Sequence, residues 1–325
     1  YNAADMNETV LYSTEIGDFY IPKGHDNILK LLYGDYMRVL PLETRIAEVV
    51  KSHKRIKKYG RENGRMRKIT VMGGGNMGSL LAVKFSQQAD VTVFLNGQRA
   101  ENFRKDFKAF CEDTNTTTEG KINCVTNDLS AAVKGAEWIF ITFPAFMFKE
   151  FSKRLVPLLQ SGQHLCFVPG SGGAELFFKD ALKKGCTLTG LQRVHSVARI
   201  TEAGKSVRES GIRDHIKAAS IPSSFNDEAA QVLEELYKLP VEKLPNYLNI
   251  TLVNSNPILH TSRLYTVFKD FENRPEGYKE LPLFYEEWNL ETSELLVEMD
   301  NELFGIIKAF SKNGITVDGI TPLLL

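Results

Sequence analysis

The sequence is short of net charge, of cysteine and of long apolar runs. Its 40 Lys and Arg residues balance 40 Asp and Glu residues, so no global field draws the chain to nucleic acid or to an anionic membrane. No window holds the roughly 18 uncharged apolar residues that a membrane span needs, and no secretory signal peptide opens the chain. We therefore expect no nucleic-acid partner, no membrane span and a cytoplasmic location.

The four cysteines lie far apart and lack the paired spacing of a metal site. Three of them lie in or beside apolar segments, where free buried thiols are common. This pattern is typical of a reducing cytosol, and we expect no metal. The cysteines are Cys111, Cys124, Cys166 and Cys186.

The most informative segment that is present starts with the apolar residues 68–72 and continues as Gly-Gly-Gly-Asn-Met-Gly over residues 73–78. Gly73, Gly75 and Gly78 have the spacing G-x-G-x-x-G, and a helix-like stretch follows. The first glycine permits a tight turn, the second lets the backbone approach a pyrophosphate, and the third lets the helix pack closely on the strand. The helix N-terminus adds unpaired N–H groups and a positive dipole end. We predict a dinucleotide site that also includes Asn76 and Met77; a structural turn is the alternative.

From Lys68 onward, apolar strand-like segments alternate with helical ones, a pattern that favours a parallel doubly wound sheet. After Pro245 the predicted elements are all helical. The fold class is therefore predicted as α/β, with a Rossmann-type sheet domain over residues 67–245 and a smaller all-helical domain over residues 246–325. Predicted strands are 68–72, 91–95, 138–142 and 164–168, with a sheet extension over 186–222; predicted helices are 78–88, 100–111, 128–134, 147–159, 227–238, 247–259, 262–271 and 291–310.

The end of the second predicted strand bears on the choice of cofactor. An NAD-selective site usually has Asp or Glu about 20 residues past the glycines, where it binds the ribose 2′-OH. This chain has Asn96 and Arg99 in that region. Without the carboxylate a 2′-phosphate is not repelled, and a guanidinium would attract it. We expect NADP(H) to be slightly favoured over NAD(H); the alternative is that Arg99 is a solvated loop residue.

Two further loops follow apolar strands directly. Ligands in open α/β sheets bind beyond the carboxyl ends of the strands, so both loops are expected to border the cofactor. Pro144 and Ala145 belong to the first loop, and Gly170 belongs to the glycine-rich second loop. Either loop could instead be only a tight turn.

His260 is the leading candidate for proton transfer among six histidines. It follows Asn256 and Pro257 in the first apolar segment of the helical domain, where a second domain would close over a nicotinamide. A histidine titrates near neutral pH, as carbonyl reduction with proton donation requires. A buried structural histidine is the alternative. His195 and His215, both in the predicted sheet extension, are weaker candidates, and of these His195 is the one for the cleft.

Together these segments resemble the opine dehydrogenase family (octopine and nopaline dehydrogenases and relatives) over roughly residues 67–310. The resemblance implies a helical domain similar to the C-terminal domain of 6-phosphogluconate dehydrogenase. It also implies reduction, with a nicotinamide cofactor, of the imine formed between a 2-oxo acid and an amino acid. His260 would polarise the substrate and relay a proton, and Asn256 would shape the substrate pocket. The motifs are residues 73–78, Phe143-Pro-Ala145, residues 169–173, Arg199-Ile200 with Gly204-Lys205, and Asn256-Pro-Ile-Leu-His260.

One element of the family is missing. The family has a later Arg-Tyr-x-x-x-Asp-type segment that completes the polar relay, and no such segment occurs before Leu325. Asp300 and Glu302 fall in a stretch resembling the family's Asp-x-Glu helix, but the relay role does not transfer to them. We expect either a truncated helical domain or a different substrate chemistry.

Two alternatives stay open. The first is an enzyme similar to glycerol-3-phosphate dehydrogenase or ketopantoate reductase, which usually has a catalytic lysine in its helical domain. Residues 246–265 contain no lysine, which favours the histidine. The second is a non-catalytic nucleotide-binding module. Oligomerisation is left open.

The first 45 residues suggest a second resemblance. Phe19–Asp26 and Leu32–Arg38 look like the C-terminal end of LicD-type phosphotransferases, which modify surface glycans. We predict that residues 1–66 are the tail of an upstream LicD-like domain plus a basic linker. The chain starts at Tyr1 without methionine, and we expect an internal piece of a fused protein linked to surface-glycan modification.

Overall fold

The computed structural model describes residues 9–14, 17–22, 66–254, 256–273, 280–317 and 319–323. Two antiparallel strands, β1 (Thr9–Thr14) and β2 (Gly17–Pro22), form a hairpin within the first of two compact units. The second unit is Arg55–Leu323. The motif at Leu32–Arg38 and most of the basic linker lie outside the described residues.

The second unit is built on an eight-stranded sheet with the order β14-β13-β10-β9-β8-β3-β4-β7. Six neighbouring strands, from β7 to β10, run parallel, and β13 pairs with β10 in the antiparallel sense. The strands are β3 (Lys68–Met72), β4 (Asp90–Phe94), β7 (Cys124–Thr126), β8 (Trp138–Ile141), β9 (His164–Phe167), β10 (Thr187–Leu191), β13 (Ile216–Ile221) and β14 (Val241–Lys243).

Side chains alternate between two hydrophobic cores, one on each face of this sheet. Val71 and Phe140 belong to the core that also holds residues of helices α1 and α6. Met72 and Ile141, next to them in sequence, belong to the core on the side of α2, α3 and α5. Because successive residues of a strand point to opposite faces, this division confirms the predicted doubly wound sheet. The helices are α1 (Asn76–Phe85), α2 (Leu129–Val133), α3 (Phe148–Leu155), α4 (Ala174–Phe177), α5 (Lys179–Lys183) and α6 (Asn226–Tyr237).

A second, four-stranded sheet was not predicted. Its order is β11-β12-β5-β6, and β12 pairs in parallel with β5, about 100 residues earlier in the chain. The predicted helix over residues 100–111 is therefore wrong: a short 3₁₀ turn at Gly97–Ala100 is followed by β5. The predicted sheet extension over residues 186–222 is split between the two sheets. The strands are β5 (Lys108–Cys111), β6 (Thr116–Glu119), β11 (Val197–Glu202) and β12 (Ser206–Ser210).

The C-terminal part is helical, as predicted, with different boundaries. Its helices are α7 (Leu248–Thr251), α8 (Asn256–Phe268) and α9 (Leu290–Lys312). α8 runs without interruption through the break predicted between residues 259 and 262, so His260 is in the second turn of this helix. Among the described residues, no helix combines the length and the apolar character needed to cross a bilayer.

All four cysteines are free thiols. Cys166 and Cys186 are buried, and burial raises the pKa of both thiols. Cys111 and Cys124 are half-buried. Within the described ranges no group of three or more His, Cys, Asp or Glu residues could hold a metal ion.

Candidate active site

The N-terminus of α1 carries no side-chain cap. Asp128 caps α2 and Asn289 caps α9 through side-chain oxygens, whereas Gly75, at the same position of α1, has no side chain to do so. The first turn of α1 also contains no acidic residue. The first backbone N–H groups of a helix have no partner within the helix, and here they remain available to an anionic ligand.

The three motif glycines differ in the space around them. At Gly73, φ is +114°, a value that L side chains rarely adopt. A Cβ at Gly78 would overlap the carbonyl oxygen of Gly73 and lie 2.7 Å from Thr142 Oγ1. A Cβ at Gly75 would have no atom within 4 Å. Gly73 and Gly78 are thus required by the turn and by close packing, while Gly75 faces open space at the helix N-terminus, where the residues present fit a dinucleotide phosphate.

Asn76 and Met77 have contacts within the protein. The Ile200 N–H in β11 donates to Asn76 Oδ1 at 2.8 Å, which ties the glycine turn to the small sheet. The half-buried Met77 side chain packs on the core beneath α1. The side chains of both residues therefore hold the glycine turn in place.

The loop after β8 lies beside the glycine turn. Thr142 Oγ1 donates to the carbonyl oxygen of Met72 at 2.8 Å, so β8 and β3 end side by side. Pro144 and Ala145 are exposed on this loop. A Cβ at Gly172 would overlap that of Ala145, so the loops after β8 and β9 are in contact at the carboxyl edge of the sheet.

Gly170 lies at the same edge but is buried. A Cβ there would lie 2.5 Å from Gly190 Cα and 2.7 Å from Ile250 Cγ2. The Tyr247 hydroxyl donates to the Gly170 carbonyl oxygen at 3.1 Å. Gly170 thus allows close packing between the sheet and the helical segment that begins with α7, which is called the helical segment below.

Two more hydrogen bonds attach α7 to this edge. Thr251 Oγ1 donates to Glu175 Oε1 at 2.7 Å, and Gln192 Nε2 donates to the carbonyl oxygen of Asn249 at 3.0 Å. Burial, with the nearby Glu175 carboxylate, raises the pKa of Tyr247 well above its usual value, so its hydroxyl stays a donor at neutral pH. The helical segment is therefore anchored at the carboxyl ends of β9 and β10, on the same edge as the glycine turn.

Asn96 and Arg99 are exposed in the turn that follows β4. Gly73 N–H donates to the carbonyl oxygen of Phe94 at 3.0 Å, so this turn starts next to the glycine turn. Residues 96–100 contain no carboxylate. The turn thus provides the exposed Arg99 guanidinium, and the first carboxylate after β4 is that of Glu101, which caps the end of the turn.

Asn256 is exposed at the first position of α8, and His260 is half-buried one turn later. The imidazole ring lies 5.1 Å from the Phe284 ring, centroid to centroid. It makes no hydrogen bond to any other residue that the structure describes. Packing on the Phe284 ring is therefore what the described residues contribute to its orientation.

His195 is fully buried and belongs to an internal polar cluster. Its Nε2 lies 3.1 Å from Glu209 Oε1, and Lys84 Nζ lies 2.7 Å from the same oxygen. Burial lowers the pKa of His195. Burial alone would raise the pKa of Glu209, but hydrogen bonds from His195 and Lys84 outweigh it and hold that pKa at about 2. An ionised Glu209 thus joins α1 to β12, and His195 does not face an open cleft.

Asp300 is also a structural residue and is almost fully buried. Its Oδ1 accepts from Asn254 Nδ2 at 2.9 Å, and its Oδ2 accepts from the Leu323 N–H at 2.7 Å. This carboxylate holds the segment before α8 and the C-terminal segment against α9. Glu302 is exposed.

Two residues of this region had no signal in the sequence. Tyr247 anchors α7 on Gly170, and the buried Arg263 lies on α8 three residues after His260. Their partners are 77 and about 20 residues away in the chain, so no local motif marks them. The one hint in the sequence is that residues 256–268 contain no Asp or Glu that could pair with Arg263 along α8.

Comparison with known proteins gives two partial family matches. Residues 243–324 match the family described as NAD/NADP octopine/nopaline dehydrogenase, alpha-helical domain. Residues 69–203 match the ketopantoate reductase PanE/ApbA family. The two matches cover the helical part and most of the parallel-sheet part, respectively.

The chain is similar to proteins named as dehydrogenases over about three quarters of its length. It is 28% identical to the opine dehydrogenase of Haliotis discus hannai over 276 residues, 78% of this chain and 67% of that protein. It is 26% identical to the tauropine dehydrogenase of Arabella iricolor over 259 residues, 74% of this chain and 64% of that protein. The chain therefore spans about two thirds of the length of these relatives.

The fold matches that of octopine dehydrogenase solved with NADH and L-arginine. The TM-score is 0.69 at 21% sequence identity, over 79% of this chain and 68% of that one. The fold is thus a Rossmann-like parallel sheet followed by a helical domain.

Proposed function

We propose that this chain belongs to an NAD(P)-dependent oxidoreductase of opine dehydrogenase type. One observation carries the proposal: the uncapped N-terminus of α1, with open space at Gly75, lies at the same sheet edge on which the helical segment is anchored. Such an edge is where α/β folds bind nucleotides. The similarity to opine and tauropine dehydrogenases supports the same conclusion.

Each element of the site has a separate task in this proposal. The free N–H groups around Gly75 bind the dinucleotide phosphates. The exposed loop at Pro144 and Ala145 would border the cofactor, which would supply the hydride when bound. His260 donates or holds the proton at its imidazole nitrogen while the carbonyl or imine carbon is reduced.

The substrates are a 2-oxo acid and an amino acid or similar amine. This assignment rests on the relatives, since octopine dehydrogenase has been solved with L-arginine beside NADH. Asn256, exposed one helical turn before His260, is well situated to donate a hydrogen bond to the substrate. The identity of the two substrates depends on side chains around α8.

We infer a modest preference for NADPH over NADH. Arg99 is exposed in the turn after β4, and residues 96–100 lack a carboxylate. A guanidinium near a ribose 2′-phosphate forms a charge-assisted hydrogen bond. Asn96, beside it, has no charge that would oppose the phosphate.

A ketopantoate reductase-like activity is the second candidate, because residues 69–203 match that family. The helical part argues against it. Residues 246–265 contain no lysine, and Lys269, the first lysine of α8 and its C-terminal turn, is bound to Glu291. The match of residues 243–324 to the octopine and nopaline family supports the first candidate.

The test has two stages. Titration of the full chain with NADPH and NADH, followed by nicotinamide fluorescence, measures binding and would exclude a dinucleotide site if neither nucleotide bound. Turnover with pairs of 2-oxo acids and amines then separates an enzyme from a non-catalytic module. His260→Ala is expected to lower kcat by about 10²- to 10⁴-fold. His215→Ala, at an exposed histidine 3.4 Å from Glu242, is the matched control and should leave kcat unchanged.

A role in surface-glycan modification is a further part of the proposal. It is supported only by the motifs at Phe19–Asp26 and Leu32–Arg38. Deletion of the gene in its source organism, followed by composition analysis of the surface glycan, tests it. An unchanged glycan would remove this link without affecting the proposed reductase activity.

A further inference from the structure

Arg263 is a buried cation with no acidic partner among the described residues. Only 2% of the residue is exposed. Its Nε donates to the carbonyl oxygen of Phe284 at 3.1 Å, and its Nη2 donates to that of Leu283 at 3.0 Å. Burying a guanidinium is costly unless its donors are used, so these two bonds define where the backbone at residues 283 and 284 lies.

The backbone fixed in this way carries the side chain that contacts His260. The Phe284 and His260 rings are 5.1 Å apart and inclined at 48°. Arg263 and His260 are three residues apart on α8, so they share one face of the helix. Residues 283 and 284 thus accept hydrogen bonds from Arg263, and the Phe284 ring packs on His260.

Trp288 closes the same group of contacts. The Arg263 guanidinium carbon lies 6.0 Å from the Trp288 ring centroid, within cation–π range. The Phe284 and Trp288 rings are 6.4 Å apart, and Trp288 Nε1 donates to Ser293 Oγ at 2.9 Å. The segment is therefore held at Arg263, at Trp288 and at the start of α9.

We propose that Arg263 and Phe284 are positioning residues for His260: the guanidinium fixes the backbone at residues 283 and 284, and the Phe284 ring thereby holds the imidazole in one orientation. This inference rests on the proposed function for its catalytic consequence. The orientation itself is a structural claim with its own readout. No carboxylate of the described residues is bound to the imidazole, so among these residues it is the ring contact with Phe284 that orients it.

The structural readout is the ¹H–¹³C spectrum of the full chain labelled at histidine Cε1, with the His260 signal identified by its loss in His260→Gln. The Phe284 ring current should displace this signal in the parent protein. Arg263→Met and Phe284→Leu should both move it towards the position of free histidine. Arg263→Lys keeps the charge but cannot donate to both carbonyl groups in one plane, and should move it part of the way. Because Arg263→Lys keeps the charge, it is the milder variant and replaces Arg263→Met in this experiment if Arg263→Met fails to fold.

The control is Thr292→Val. It removes the 2.6 Å hydrogen bond between Thr266 Oγ1 and Thr292 Oγ1, which also joins α8 to α9, together with the 2.6 Å hydrogen bond from Thr292 Oγ1 to Asn289 Oδ1 at the cap of α9. It changes no residue of the segment 283–288. It should lower stability without moving the His260 signal. If it moved the signal as far as Arg263→Lys does, general loosening of α8 would explain the effect and the positioning role would be overturned.

The kinetic readout concerns kcat. Arg263→Lys and Phe284→Leu should lower kcat by about 10- to 100-fold, as expected for a misplaced catalytic group, with NADPH affinity unchanged. An unmoved signal in Phe284→Leu or Arg263→Lys would refute the inference. A moved signal in a parent chain without turnover would instead leave the positioning role intact and count against the proposed activity.

Discussion

Replacement of Gly75 by alanine separates a phosphate site from a structural turn. The backbone at Gly75 has φ −76° and ψ −171°, an extended conformation that alanine adopts without strain. The added methyl group would have no atom within 4 Å. We therefore expect the variant to fold, with stability unchanged or raised by about 0.4–1 kcal/mol, because alanine lowers the entropy of the unfolded chain.

Binding should respond in the opposite direction. In the proposed site, the methyl group would occupy the open space at Gly75 through which a phosphate oxygen would reach the first N–H groups of α1. A hydrogen bond to a charged group contributes about 1.5–3 kcal/mol. The loss of one such bond corresponds to about a 10- to 150-fold weaker affinity.

Gly78→Ala is the informative companion variant. Its Cβ would overlap the Gly73 carbonyl oxygen, so α1 has to move. Overpacking of this kind costs about 1–3 kcal/mol, and both stability and binding should fall. Urea unfolding and nicotinamide fluorescence measure the two effects. If folded Gly75→Ala binds NADPH and NADH as tightly as the parent, the glycine turn is purely structural and the dinucleotide site is wrong.

Three further predictions concern the cofactor, the helical segment and acid stability. Arg99→Ser should weaken NADPH binding by about 5- to 10-fold and NADH binding hardly at all; equal losses in a fluorescence titration would show that no 2′-phosphate contact exists. Asp300→Ala should lower the free energy of unfolding by about 2–4 kcal/mol, because the Asn254 and Leu323 donors lose a charged acceptor; an unchanged urea midpoint would contradict this. Stability should fall as the pH drops, in two steps. Below about pH 6.5, His195 takes up a proton in the unfolded chain, whereas burial keeps the ring neutral in the folded protein. From pH 4.5 towards about 2, Glu209 is protonated in the unfolded chain before it is protonated in the folded protein. In Glu209→Gln the second fall should be shallower, and an unaltered acid-unfolding profile would exclude the lowered pKa of Glu209.

The main sheet could be predicted because its strands carry their own signal. Residues 68–72 were predicted as a strand with the bounds that the structure has, and 138–142 and 164–168 differ by one residue. Each is a short apolar run beside a glycine or proline turn, as expected for a parallel strand buried on both faces. The glycine turn follows from the same local pattern.

The errors have a common physical cause. Phe103 and Phe107 are four residues apart, which resembles the buried stripe of a helix, but their rings stack at 4.8 Å in an irregular segment before β5. β5 pairs locally with β6, but its other partner, β12, lies about 100 residues later in the chain. Pairing over such a distance leaves no trace in a local window, and the same holds for the bond between Tyr247 and Gly170.

The candidate site was predicted in its parts rather than in its assembly. His260 was identified from a motif, yet the residues around it, Arg263 and Phe284, become apparent only in three dimensions. Gly170 was predicted from its place after a strand, and the structure shows it covered by Ile250. A sequence position after a parallel strand predicts the edge of the sheet but not whether a neighbouring helix covers it.

The enclosure of α1 has a consequence for how such a protein would work. Residues from Gly78 to Val83 are all buried, with the main sheet on one flank and β11 and β12 on the other. Breathing motions of this helix would break two interfaces at once, so its amides should exchange with deuterium more slowly than those of α8. Motions that open the protein to small molecules should therefore take place in the C-terminal helices. Substitutions meant to change the rate of turnover should be made there first.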